Sequence, residues 1–149
     1  MNKIYYSYTE FKNDSKELVK LCQDFNADTF LAVARGGLTL AHFMAQALNI
    51  RELYTINAIS YDRKKQNLSS NIFNIPNLDS SKKVLIIDDI VDSGRTMKEI
   101  LELLKELYPN IEFKLATLFY KKDAQIKPDF FVKQNSIWIE FFWEVDWEV

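Results

Sequence analysis

Two aspartates stand side by side at the end of an apolar run, Asp88 and Asp89, and Asp92-Ser93-Gly94-Arg95-Thr96 follows almost at once. Ionised carboxylates cannot donate to phosphate, but they accept from sugar hydroxyls and hold Mg2+. Ser93 and Thr96 add hydroxyl donors, and Gly94 lets a backbone come close to a ligand. If a helix begins here, its unpaired N–H groups and positive dipole end favour a phosphate. Phosphate donors beside diol- and metal-binding carboxylates suit a phosphorylated ribose. Helix capping by Asp92 or Ser93 is the competing reading; it explains one of these positions but not all six polar ones.

A second loop has the same setting. The 149-residue chain carries only three glycines, where average usage of about 7% would give roughly ten. Gly36 and Gly37 are adjacent, after Ala34-Arg35, and Gly94 is the third. An ordinary turn would explain any one of them. Both loops, however, follow a hydrophobic strand pattern and precede a helical one.

The elements that must position these loops alternate in type. Ser7 or Thr9 could cap a first helix running to about Phe25, with Phe11, Leu18, Leu21, Cys22 and Phe25 near one face. Phe30 to Ala34 reads as a short buried strand, Leu38 to Leu48 as a helix and Leu53 to Ile59 as a strand. From Ser60 to Lys82 the chain turns polar, a connection long enough to suggest a mobile functional loop or a disordered insertion. Val84-Leu85-Ile86-Ile87 is continuously apolar and reads as a central parallel strand covered on both faces. A helix to about Tyr108 is ended by Pro109 and Asn110, and strand patterns follow at 113–119, 130–132 and 137–139. Strands alternating with helices predict an α/β fold with a mostly parallel central sheet, in a single domain over residues 1–149. In such sheets ligands bind beyond the carboxyl ends of the strands, where both glycine loops fall.

Composition removes several classes. Hydrophobic residues at 48% and charged residues at 27% are those of a globular protein. A net charge of −2 leaves no footprint for nucleic acid. A lone Cys22 excludes an internal disulfide and any multi-cysteine metal site. Neither a signal-peptide pattern at Met1–Tyr6 nor a membrane-length apolar run is present, so a cytoplasmic setting without membrane insertion is expected. No GxxxxGK[ST] or GxGxxG pattern occurs. His42, in the helix after the first glycine loop, reads as structural.

Val84 to Thr96 resembles the PRPP (5-phosphoribosyl-1-pyrophosphate) motif of type I phosphoribosyltransferases: a hydrophobic strand, two acidic residues, then Asp-Ser-Gly-x-Thr. Ala34-Arg35-Gly36-Gly37 resembles that family's pyrophosphate loop, with Ala34 in place of the usual serine. A narrower likeness, to the bacterial xanthine-guanine group, covers Ile59-Ser60-Tyr61-Asp62, Phe119-Tyr120-Lys121, Ser136 to Glu140 and Phe142-Trp143-Glu144. Phe142 and Lys122 stand where that group has prolines.

The resemblance implies a Rossmann-like fold with a mobile catalytic loop containing Ser60 and Tyr61, and a small base-binding hood. It implies that Asp88 and Asp89 bind the ribose hydroxyls and Mg2+, that Asp92, Ser93, Gly94, Arg95 and Thr96 cradle the 5′-phosphate, and that Arg35 and Gly36 hold pyrophosphate. Asp92 would be the catalytic proton acceptor, Lys121 would donate to the purine O6, Trp138 would stack on the base, and main chain near Ile139 would meet the purine 2-position. Whether the Ala34–Arg35 peptide is cis stays open. The implied partners are PRPP and a 6-oxopurine (guanine, xanthine or hypoxanthine), with a homodimer or homotetramer as assembly. Alternatives are a PRPP-binding regulator without base chemistry and an enzyme for another heterocycle. A receiver domain, which shares an acidic pair after a strand, is disfavoured because only 60 residues follow Asp89.

Overall fold

The computed structural model describes residues 2–60 and 70–148. Its elements in chain order are β1 (Lys3–Tyr6), α1 (Tyr8–Cys22), β2 (Thr29–Ala34), α2 (Leu38–Leu48), β3 (Leu53–Ile59), β4 (Asn71–Phe73), β5 (Lys83–Val91), α3 (Arg95–Leu107), β6 (Glu112–Tyr120), β7 (Phe130–Gln134) and β8 (Trp138–Phe141). Six strands form one sheet in the order β4-β3-β2-β5-β6-β7. All its pairings are parallel except β3–β4. The expected mostly parallel sheet flanked by helices is therefore present.

The central strands are apolar on both sides because both faces are covered. Phe30, Ala32, Leu85 and Ile87 meet Phe11, Leu18 and Cys22 of α1 and Leu40, Ala41 and Met44 of α2. Their neighbours Leu31, Val33, Val84 and Ile86 turn the other way, onto Met97, Ile100, Leu101 and Leu104 of α3. Period-2 alternation sorts one continuous apolar run into two cores. Each fully buried Leu, Ile or Phe among them contributes about 1.5–3 kcal/mol.

α1 starts on a capping box: the Glu10 N–H donates to Ser7 Oγ at 3.2 Å, and the Ser7 N–H donates to Glu10 Oε2 at 2.8 Å. Ser7, not Thr9, is the cap. The α-helix ends at Cys22, and a 3-10 turn over Gln23–Phe25 carries the chain to Asn26, at φ 55°. Leu21, expected on the buried face, is 47% exposed. The tighter turn that follows brings Phe25 to the core without it.

Two strands escape sequence patterning. β1 pairs in parallel with β8 in a separate two-stranded sheet. The phenol of Tyr6 at its end is buried and donates to Asp14 Oδ2 at 2.6 Å, while Lys133 reaches the same carboxylate oxygen at 3.1 Å, tying β1, α1 and β7 together. β4 lies within the segment expected to be a loop, antiparallel to β3. Leu78 farther along is fully buried, so the described part of that segment is ordered structure rather than a structureless connection. At the C-terminal end Phe141 is buried and stacks on Trp143 at 4.6 Å, and Phe142 and Trp143 pack edge-on against Phe11. That aromatic segment belongs to the core. Trp147, 76% exposed, does not. Among the described residues no helix is long and apolar enough to cross a membrane.

Candidate active site

β5 continues past its apolar stretch to Val91, so Asp88 and Asp89 lie within a strand and not in the loop after it. Pairing with β6 holds them there, Asp88 opposite Thr117. The Asp89 N–H donates to Asp88 Oδ1 at 2.8 Å, and the Ile90 N–H to Asp89 Oδ1 at 2.7 Å. Desolvation, then the charge of Asp89, holds the Asp88 carboxyl well above the usual carboxylate range. Asp89 is also raised, first by desolvation, with the nearby Glu144 carboxylate adding to the effect. Glu144 is held in place by accepting the Phe141 N–H at 2.8 Å. Among the described residues no lysine or arginine pairs with Asp88 or Asp89.

The diglycine loop after β2 is pressed against this acidic pair. A Cβ on Gly36 would lie 2.7 Å from Asp89 Oδ2, and one on Gly37 would lie 2.3 Å from the Ile87 carbonyl oxygen. Glycine is required here for the close approach of this loop to β5. The Ala34–Arg35 peptide is cis. Arg35 is exposed and turns into the same cleft as the carboxylates.

Gly94, at φ 80°, begins α3 with no side chain of its own to cap it, while the Arg95 N–H donates to Ser93 Oγ at 3.3 Å. Its backbone angle and its neighbours both demand glycine: a Cβ would meet the Gln125 and Ile126 nitrogens at 2.9 Å. The segment after β6 is thus packed onto the loop after β5. Two main-chain bonds stitch them, the Lys121 N–H to Val91 O at 3.0 Å and the Gln125 N–H to Ser93 O at 2.8 Å. The same packing brings Lys121 Nζ to 2.5 Å from Asp92 Oδ1, both side chains about one-third exposed.

These pieces line one cleft of about 1070 Å³ at the carboxyl ends of β2, β3, β5 and β6. Arg35, Gly36, Ser60, Asp88, Asp89, Lys121 and the whole run Asp92, Ser93, Gly94, Arg95 and Thr96 lie on its wall. Tyr61 lies outside the described residues. Trp138 and Ile139 are not on the wall: Trp138 is 52% exposed on β8, and the Ile139 side chain is buried in the core. Ser70, Asp123 and Gln125 line the cleft without having been singled out from sequence. Their polar, motif-free surroundings carried no signal. His42 is exposed and touches only the Phe43 ring edge among the described aromatic contacts.

A family model described as phosphoribosyl transferase domain matches residues 7–149. The chain belongs to the phosphoribosyltransferase family. Among curated relatives of this phosphoribosyltransferase, the xanthine-guanine phosphoribosyltransferase of Desulfotalea psychrophila is 34% identical, over 94% of this chain and 85% of the relative. That of Ruegeria sp. is 30% identical, over 93% and 84%. Among solved structures, a xanthine-guanine-hypoxanthine phosphoribosyltransferase of Helicobacter pylori superposes with a TM-score of 0.89 at 44% identity, covering 97% of this chain and 95% of that one. A purine phosphoribosyltransferase of Pyrococcus horikoshii gives 0.82 at 27% identity, over 100% and 98%.

Proposed function

We propose that the protein transfers the 5-phosphoribosyl group of PRPP to a 6-oxopurine, releasing pyrophosphate and a nucleoside monophosphate in purine salvage. The observation that carries this reading is the Lys121–Asp92 pair on the wall of the cleft that also holds the acidic pair and both glycine loops. An ammonium donor beside a carboxylate acceptor is complementary to a purine edge presenting O6 and an N7–H. Adenine offers a donor where Lys121 needs an acceptor. The xanthine-guanine and purine relatives support the same choice of base.

In this reading N9 of the base attacks C1 of the ribose, the bond from C1 to the pyrophosphate oxygen breaks, and the N7 proton passes to Asp92. The α3 N-terminus with Ser93 and Thr96 holds the 5′-phosphate, and Arg35 and the Gly36 main chain stabilise charge on the departing pyrophosphate. Trp138 lies off the cleft wall, half-exposed on β8, and stacks on a base that extends beyond the wall toward it; Ile139 has only main chain to offer, its side chain lying in the core.

The acidic pair fits Mg2+. Two adjoining carboxylates with raised proton affinity and no paired cation among the described residues are stabilised by a divalent ion. Among the described residues no three acidic, His or Cys side chains gather to hold a metal on their own. That suits an ion which characteristically takes one or two carboxylates plus substrate phosphates and water. Asp88 and Asp89 would hold it. Bound there, Mg2+ supplies charge neutralisation at the pyrophosphate.

The reading includes a cytoplasmic setting, which suits the unpaired Cys22. It also includes a homo-oligomer, for which exposed Ile59, Phe73 and Ile75 near the β4 edge offer apolar surface.

The test is steady-state nucleotide formation from PRPP and Mg2+ with guanine, xanthine, hypoxanthine, adenine, uracil and orotate. Turnover confined to the first three is expected. Turnover with another base would reassign the Lys121–Asp92 pair, and none at all, with PRPP bound in calorimetry, would make the protein a PRPP-binding regulator.

A further inference from the structure

The 5′-phosphate cradle expected from sequence draws its hydroxyls from one stretch of chain, Ser93 and Thr96. The fold adds another from elsewhere. Ser70 lies on the cleft wall with its Oγ 2.9 Å from Thr96 Oγ1. Two hydroxyls in one hydrogen bond use one of their two protons between them. Whichever is the donor, the pair keeps one O–H free to turn toward an anion at the start of α3, where the helix dipole favours negative charge.

The placement of Ser70 is set by α3 itself. Its main-chain N–H donates to Glu99 Oε2 at 2.8 Å, and Oε1 of the same carboxylate pairs with Arg95 Nε at 3.3 Å. Glu99 thus fastens Ser70 to the first turn of the helix that carries Thr96, and orients its hydroxyl across the helix start. Engagement by Ser70 and Arg95 also offsets the negative charge that Glu99 would otherwise present to a phosphate.

We propose that Ser70 is a 5′-phosphate-binding residue of this enzyme, paired with Thr96 and positioned by Glu99. The proposal rests on the PRPP reading above. It is tested by calorimetry of PRPP, ribose 5-phosphate and pyrophosphate on wild type, Ser70→Ala, Ser70→Thr and Thr96→Ala, with thermal melting as the control for folding. Loss of one hydrogen bond to a charged oxygen is expected to weaken PRPP and ribose 5-phosphate by the same factor, about tenfold, in Ser70→Ala. Pyrophosphate affinity and melting midpoint stay unchanged, and Ser70→Thr, which keeps the hydroxyl, restores most of the loss. If Thr96→Ala weakens ribose 5-phosphate and Ser70→Ala does not, the proposal falls while the PRPP site stands. Equal weakening of pyrophosphate in Ser70→Ala would also overturn it, by showing a general effect on the cleft. Wild-type protein that binds neither PRPP nor ribose 5-phosphate would remove the PRPP reading and this proposal together.

Discussion

At the scale of single residues, the site is a set of charges that the protein only partly neutralises. Lys121 and Asp92 sit 2.5 Å apart and about one-third exposed, where solvent screening leaves an ion pair worth little to stability, ~0–1 kcal/mol. In the proposed reaction the pair serves instead as a donor and an acceptor side by side. Asp92→Asn retains the shape of the side chain but removes its charge, and with it both the ability to take a proton and the ion pair with Lys121. Its kcat is expected to fall by a factor on the order of 100, with PRPP affinity within about twofold of wild type. Steady-state kinetics with guanine, set beside PRPP calorimetry, checks this. An unchanged kcat would remove Asp92 from proton transfer and leave it a partner of Lys121 alone.

At the scale of elements, strand and helix ends do the positioning. β5 is extended by its pairing with β6, and this keeps two carboxylates fixed in a strand while the diglycine loop closes against them. α3 opens on Gly94, which has no side chain to cap it; Ser93 Oγ takes the Arg95 N–H at 3.3 Å, and the helix start lies on the cleft wall. α1 is the opposite case, because both halves of its capping box are filled by protein. Ser7→Ala is expected to destabilise the fold by about 1 kcal/mol in urea unfolding at neutral pH. The Ser7 main-chain N–H, then its hydroxyl, holds the Glu10 carboxyl below its usual range. A depressed carboxyl stabilises above its unfolded pKa, and that contribution is lost as pH falls through the folded one. No loss of stability in Ser7→Ala would mean that packing of Phe11 and Leu18 alone fixes where α1 begins.

At the scale of the whole molecule, a sheet with two covered faces makes the interior hostile to charge. The Cys22 thiol, buried between α1 and the sheet, is pushed by desolvation from 9.0 up to about 12. Above pH 9 the unfolded chain releases this proton while the native state keeps it, so the folded state binds more protons and stability falls as pH rises, until the folded thiol itself ionises. The Tyr6 phenol, raised by burial and then by its bond to Asp14, acts in the same direction from about pH 10. Chemical unfolding of wild type and Cys22→Ala between pH 8 and about 9.5 isolates the thiol: the wild-type slope is expected to be the steeper. Parallel slopes would show that Cys22 ionises as readily in the native state as in the unfolded chain.

Much of the chemistry was legible because it is local. From Val84 to Thr96 one continuous stretch carries the strand, the acidic pair, the turn and the helix start, so pattern and propensity agree without help from the rest of the chain. The three helices and the buried strands were legible for the same reason. β1 and β8 were not read as partners, since Lys3–Tyr6 exposes three of its four residues and its pairing spans nearly the whole chain. The sequence suggests a ligand as the reason for Gly94, whereas Gln125 and Ile126 also crowd it. Ser70 reads from sequence as loop composition, and only its bonds to Thr96 and Glu99 put it beside the start of α3 on the cleft wall. The amino-acid sequence by itself determined which reactive groups the protein owns and the local turns that display them. Tertiary structure decided which of those groups meet, because contacts between distant segments follow from the packing of the two cores and not from any short-range pattern.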